Sequence, residues 1–232
     1  MASFDHSSSL VAAPHPFPID LSQTALLVVD MQNDFCHPEG FCGHNLGADL
    51  SAVSAIVPRI QAVIEWCRSR SFWVVYTRES HQADLGDLPP SKQLRYSNAG
   101  YPVGTPGNMG RFLVRGEPGT ALLDAFTPLA TELQLDKPAQ SIFIGTDLEI
   151  KLRDRSITHL LLTGVTTQCC VLATYRHATD LGFYCLLLED CCAAFSDSDH
   201  QAAIEVVQSE NGAIGWVANS ETLFTTPWGR YM

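Results

Sequence analysis

No apolar run in this 232-residue chain reaches the roughly 20 residues that a membrane-crossing helix needs. Basic residues are scarce. Lys and Arg total 14 against 25 acidic residues, the net charge is −11, and no Lys/Arg cluster occurs. Nucleic acid and anionic membranes are therefore not expected as partners. No Gly-x-Gly-x-x-Gly or Walker sequence follows a strand-like run, so a nucleotide-binding module lacks support. Cys-x-x-Cys spacing is also missing: the eight cysteines include the adjacent pairs Cys169-Cys170 and Cys191-Cys192, which match neither a zinc nor a redox motif. Residues 1–19 have no charged segment leading into a continuous apolar stretch. With Asp5, His6, Ser7, Ser8, Ser9, Pro14, Pro16 and Pro18 they read as an N-terminal tail, not a secretory signal. Reduced thiols and a cytoplasmic location are expected.

What is present is an ordinary globular composition, 46% hydrophobic and 17% charged, enough for one core over about residues 20–225. Strand-like apolar runs at about 25–30, 72–77, 133–137, 158–163, 183–188 and 213–217 alternate with helical spacing. The helices fall at about 49–69 (interrupted by Pro58), 119–126, 146–155 with Thr146 as N-cap, after Thr167, 198–209 and near the C-terminus. This alternation predicts an α/β fold, doubly wound and Rossmann-like, with a mainly parallel sheet in the order 3-2-1-4-5-6. Residues 79–118, rich in Pro and Gly, break the rhythm as a long structureless insert, either a lid or binding loop or a surface or subunit contact. His81, Arg95, Tyr96 and Arg111 are its candidates for reaching a polar substrate; each is otherwise a solvated surface residue.

The organising stretch is Leu160 to Val171. A buried strand, Leu160-Leu161-Leu162, stops at Thr163-Gly164, and Cys170 falls in the first turn of the helix that follows. Free backbone N–H groups and the helix dipole there lower a thiol's pKa and can hold an oxyanion. Cys170 is either a nucleophile or a small buried hydrophobe. Asp30 ends the run Ala25–Val29, and Lys137 ends Leu133–Asp136 before Pro138, so both lie where open α/β sheets bind ligands. Asp, Lys and Cys at three strand ends make a proton acceptor, an organising cation and a nucleophile.

Asp-Met-Gln-Asn-Asp-Phe at 30–35, Asp-Lys-Pro at 136–138 and Gly-Val-Thr-Thr-Gln-Cys-Cys-Val at 164–171 resemble the three signatures of the isochorismatase-like cysteine hydrolases. The resemblance covers roughly residues 20–220. It implies Asp30 as general base, Lys137 as the residue that orients it, Cys170 as nucleophile, and a cis peptide at Val165–Thr166. The oxyanion would lie among the backbone groups of Val165, Thr166 and Cys170. A released amine would leave a thioester for water to hydrolyse. True isochorismatases do not use the cysteine, so Cys170 argues against that branch. Nicotinamidases place a metal on an Asp and two His after strand two. Here Arg78-Glu79-Ser80-His81-Gln82-Ala83-Asp84 holds one His, so neither a metal nor any other cofactor is expected.

Thr77-Arg78-Glu79-Ser80-His81, Asp84 to Pro89, Arg115 to Gly119 and Leu186 to Cys192 resemble the ureide branch, that is, biuret and triuret hydrolases and ureidoacrylate amidohydrolases. That branch places substrate contacts at the positions of Gln140, where biuret hydrolases have a Lys, and Glu210, where triuret hydrolases have a Glu and biuret hydrolases a Gln. A strict biuret assignment is thereby weakened; Glu210 is otherwise a helix-end charge. Phe35 is either an apolar wall of the site or ordinary core, and Arg111 either reaches substrate or stays in solvent. The expectation is an amidohydrolase cleaving a C–N bond of a small amide or ureide, present as a homo-oligomer, dimer or tetramer. A nicotinamidase-like amidase and a non-catalytic binding or redox-sensing member of the fold are the alternatives.

Overall fold

Apolar runs without polar alternation become strands covered on both faces. Thr24–Val29 and His159–Val165 are buried at every position, which is why they do not alternate. In the computed structural model, which describes residues 9–228, they are the central strands of a six-stranded sheet. From one edge the order is Trp216–Ala218, Tyr184–Ala193, His159–Val165, Thr24–Val29, Trp73–Glu79 and Leu133–Lys137, all parallel. Read from the other edge this is the expected 3-2-1-4-5-6. The order reverses between Thr24–Val29 and His159–Val165, so their carboxyl ends form the crevice at the switch point.

Alternate residues of Thr24–Val29 face opposite layers, as the two-residue period of a strand requires. Leu26 and Val28 pack with Val53, Ile60 and Ile64 of helix Ser51–Arg68, which runs through Pro58 without ending there. Ala25, Leu27 and Val29 pack with Leu148, Val171, Tyr175 and Val207 from four later helical segments. Residues 1–8, including Asp5, His6, Ser7 and Ser8, lie outside the described residues. The rest of the N-terminal segment packs closely: Ser9–Leu10 pairs antiparallel with Phe17–Pro18, and Leu10 and Phe17 are fully buried. Ala13 exchanges backbone hydrogen bonds with Val217, covering an edge strand that would otherwise be open. Among the described residues no helix is long and apolar enough to cross a membrane.

Four local expectations are corrected. No helix forms at 119–126 beyond the turn Pro118–Thr120, because tertiary pairing uses that backbone: Leu122 bridges Gln32, and Leu123 N–H donates to Met31 O. The strand expected to stop at 188 continues to Ala193, since Gly164 pairs with Cys192 and Val165 with Ala193 past a register shift. Glu189 and Asp190 therefore lie within a strand. The insert is not structureless. It holds helix Pro90–Asn98, a short antiparallel pair at 106–111, and a small core of Leu88, Val103, Phe112 and Leu113 against Phe41. Asp147, not Thr146, occupies the N-cap position of helix Leu148–Asp154 but makes no side-chain capping bond; the Thr146 hydroxyl donates to Ile142 O and accepts from Leu148 N–H at 3.4 Å.

Candidate active site

Strands that end at one edge bring Asp30, Glu79, Lys137 and Cys170 together. Asp30, Glu79 and Cys170 each have an atom within 4.8 Å of the other two. Lys137 Nζ stands 2.7 Å from Asp30 Oδ2 and 3.5 Å from Glu79 Oε2. Cys170 Sγ donates to Glu79 Oε2 at 3.3 Å. Asp30 and Lys137 are 0% exposed, Glu79 1% and Cys170 5%, so their interactions are little screened by water.

The local chain explains why each side chain is held so firmly. Asp30 takes a left-handed backbone (φ 51), a strained conformation for a non-glycine residue. The Thr77 hydroxyl compensates, accepting from Asp30 N–H at 3.1 Å and donating to Asp30 Oδ1 at 2.5 Å. The Gln32 side chain then bridges to the next strand, donating to Glu79 O and accepting from Glu79 N–H. Gly164 lets two strands approach where no side chain fits: at φ 111, a Cβ would lie 2.1 Å from Val29 O. The Val165–Thr166 peptide is cis. A single π-turn, Thr167–Val171, carries Cys170 into helix Leu172–Asp180.

Electrostatics distinguish the two carboxylates. Burial raises the Asp30 carboxyl above its ordinary value; Lys137 opposes this and Glu79 adds to it. Burial would raise Glu79 as well, but Lys137 and Lys92 outweigh it and hold Glu79 down at about 2. Lys137 would be lowered by burial, yet Asp30, Cys170 and Glu79 raise it, so it stays charged. The expectation of a lowered thiol is reversed. The contact with Cys169 and then burial push Cys170 well up, Asp30 and Glu79 add to the rise, and Lys137 opposes it. That shift favours the protonated thiol over the thiolate. Asp30 Oδ2 has no aligned hydrogen bond among the described residues, although Lys137 lies within ion-pair distance.

Glu79 and Lys92 went unread as site residues in the sequence. Lys92, on helix Pro90–Asn98, donates to Glu79 Oε1 at 2.5 Å and Pro138 O at 2.8 Å, and its Nζ lies 2.8 Å from His81 Nε2. Tyr96, one turn later, donates to Glu79 Oε1 at 3.2 Å. The available signal was that Glu79 ends a strand as Asp30 follows one. His81 offers no free nitrogen to a metal: an ammonium can only donate, so Nε2 accepts from Lys92, and Nδ1 faces Asp87 Oδ1 at 3.3 Å. Asp30, Glu79 and Cys170 also make a poor metal site, because two ammonium groups already neutralise the carboxylates.

Among the described residues, none of the remaining candidates makes a hydrogen bond or ion pair with this cluster. Glu210 is exposed in the turn before the amino end of strand Trp216–Ala218, at the opposite end of the sheet. Helix Asp197–Gln208 carries the chain away from the crevice before that residue is reached. Gln140 and Arg95 are exposed. The Arg111 guanidinium is held by Glu117 at 2.6 Å and by Ala83 O. Phe35 packs edge-to-face with Phe112 at 6.3 Å, joining the insert's core to the main one. All eight cysteines are free, and only Cys169 is not buried.

The isochorismatase domain pattern matches residues 24–221. The ureidoacrylate amidohydrolase RutB of Caulobacter segnis is 32% identical over 220 residues, covering 91% of this chain and 88% of that protein. A cysteine hydrolase from Pseudomonas syringae pv. phaseolicola 1448A superposes with a TM-score of 0.76 at 26% identity, over 94% of this chain and 97% of the other. N-carbamoylsarcosine amidase from Thermoplasma acidophilum gives a TM-score of 0.64 at 27% identity, over 86% and 97% of the two chains.

Proposed function

This chain belongs to the isochorismatase family, and from that premise we propose that it is a cysteine-dependent amidohydrolase of small linear amides or ureides. Biuret-, triuret- and ureidoacrylate-like molecules are the substrate class. One observation carries the reading: the Cys170 thiol lies within 4.8 Å of the Asp30 carboxylate, which Lys137 pairs at 2.7 Å. Cys170 Sγ attacks the carbonyl carbon, and its proton passes to Asp30 Oδ2 as the S–C bond forms. Asp30 returns that proton to the nitrogen when the C–N bond breaks. Water then cleaves the thioester and restores the thiol. The raised Asp30 carboxyl suits a group that must both take and return a proton. Backbone N–H groups of Thr166 and Cys170 hold the oxyanion, and Lys137 keeps Asp30 placed.

The test is ammonia release from biuret, triuret, ureidoacrylate, nicotinamide and simple ureides. Turnover is expected for at least one ureide, with a loss of about a thousandfold or more in Cys170→Ala. Full activity in Cys170→Ala, or activity on nicotinamide alone, overturns the proposal.

A further inference from the structure

The geometry points to a second buried ion pair in the working site: Glu79, anchored from the insert by Lys92, is a positioning residue that keeps the Cys170 thiol protonated and aimed until Asp30 takes its proton. This rests on Cys170 being the nucleophile. Each Glu79 oxygen has its own partners. Oε1 receives Lys92 at 2.5 Å and Tyr96 at 3.2 Å; Oε2 receives the Cys170 thiol at 3.3 Å and faces Lys137 at 3.5 Å. A carboxylate held by two ammonium groups is a weak proton acceptor, so Glu79 orients the S–H bond and does not remove its proton. Asp30 Oδ2 faces a single ammonium, Lys137 Nζ at 2.7 Å, whereas Glu79 faces two, so Asp30 is the better acceptor.

Charge conservation gives the same assignment. Asp30 and Glu79 balance Lys92 and Lys137 inside the protein. A thiolate formed at rest would add an unpaired buried negative charge, which is costly. Moving the proton from sulfur to Asp30 during attack leaves the total unchanged. The other groups facing the pair are His81, backed by Asp87, on the Lys92 side and Cys169 beside Cys170. His81 burial and the Lys92 charge hold that imidazole below its usual value, so it is neutral near pH 7.

The experiment follows alkylation of Cys170 by iodoacetamide across pH, with the modified residue assigned by peptide mass spectrometry. It needs no substrate, so failure of the ureide panel and failure of this inference are separable. Glu79→Gln leaves excess positive charge and is expected to move the alkylation midpoint down by about one pH unit, with several-fold faster labelling at pH 7. Lys92→Met leaves excess negative charge and is expected to move the midpoint up by a similar amount. Tyr96→Phe, which changes no charge and serves where either variant fails to fold, is expected to give a smaller upward shift. A structural role alone would lower stability without opposite shifts. Midpoints that stay put, or move the same way in Glu79→Gln and Lys92→Met, overturn the inference; where only Tyr96→Phe folds, an unmoved midpoint does so.

Discussion

Asp30, Glu79, Lys137 and Cys170 come from the carboxyl edge of a six-stranded sheet, whereas Lys92 and Tyr96 reach the same cluster from a nine-residue helix of the insert. The two regions are stabilised very differently. The sheet edge rests on strands buried throughout and packed on both faces. The insert rests on the small core around Phe112, on Asp34 accepting from Leu113 N–H at 3.0 Å, and on Lys92 gripping Glu79. Its helix is polar and largely exposed, with only Lys92 buried. A rigid edge thus holds Asp30, Glu79, Lys137 and Cys170, while a lightly anchored insert supplies the Lys92 charge that pairs with Glu79.

The comparison is sharpened most by removing a group from the rigid side. Asp30→Asn keeps the shape but cannot accept the thiol proton, so kcat/KM is expected to fall by about 10²–10⁴-fold in steady-state ammonia release. Near wild-type turnover would mean that the edge does not supply the base. On the insert, Phe112→Ala removes a ring stacked on Phe41 at a 4.1 Å centroid distance and is expected to cost about 3–5 kcal/mol locally. Limited proteolysis should then cut within 80–118 while the sheet still melts cooperatively. A single global loss of structure would break the distinction between the two regions.

Asp34, where the regions meet, gives a smaller and pH-dependent effect. Burial raises its carboxyl to about 6, against the hydrogen bond from Leu113. The folded protein therefore binds this proton more tightly than the unfolded chain, and stability falls as pH rises from about 4 to about 6. The loss is on the order of 2–3 kcal/mol. Asp34→Asn, neutral throughout, should flatten that slope in urea unfolding at pH 4, 5 and 6. An unchanged slope would assign the dependence to another group.

Some site residues were legible from local pattern. Asp30, Lys137 and Cys170 each follow or end a strand-like run, and a parallel sheet gathers such ends at one edge. Glu79 obeys the same rule but was masked by the polar residues around it, Arg78, Ser80 and His81, which read as the start of a loop. Lys92 was invisible because a surface-patterned helix gives no sign of which lysine turns inward. Glu210 shows the converse: its residue type suited a ureide, but the preceding helix carries it to the far end of the sheet within this chain.

The alternation of strands and helices, and the placing of Asp30, Lys137 and Cys170 at strand ends, could be read from the amino-acid pattern, because unbroken apolar runs must be covered on both faces and a parallel sheet gathers their ends. The roles expected of that trio came from the family resemblance. Which charges neutralise that trio was decided only in three dimensions. Ion pairing depends on distances of a few ångströms between residues well separated in sequence, such as Glu79 with Lys137, 58 positions on, and Lys92, 13 positions on, and periodicity carries no record of those distances.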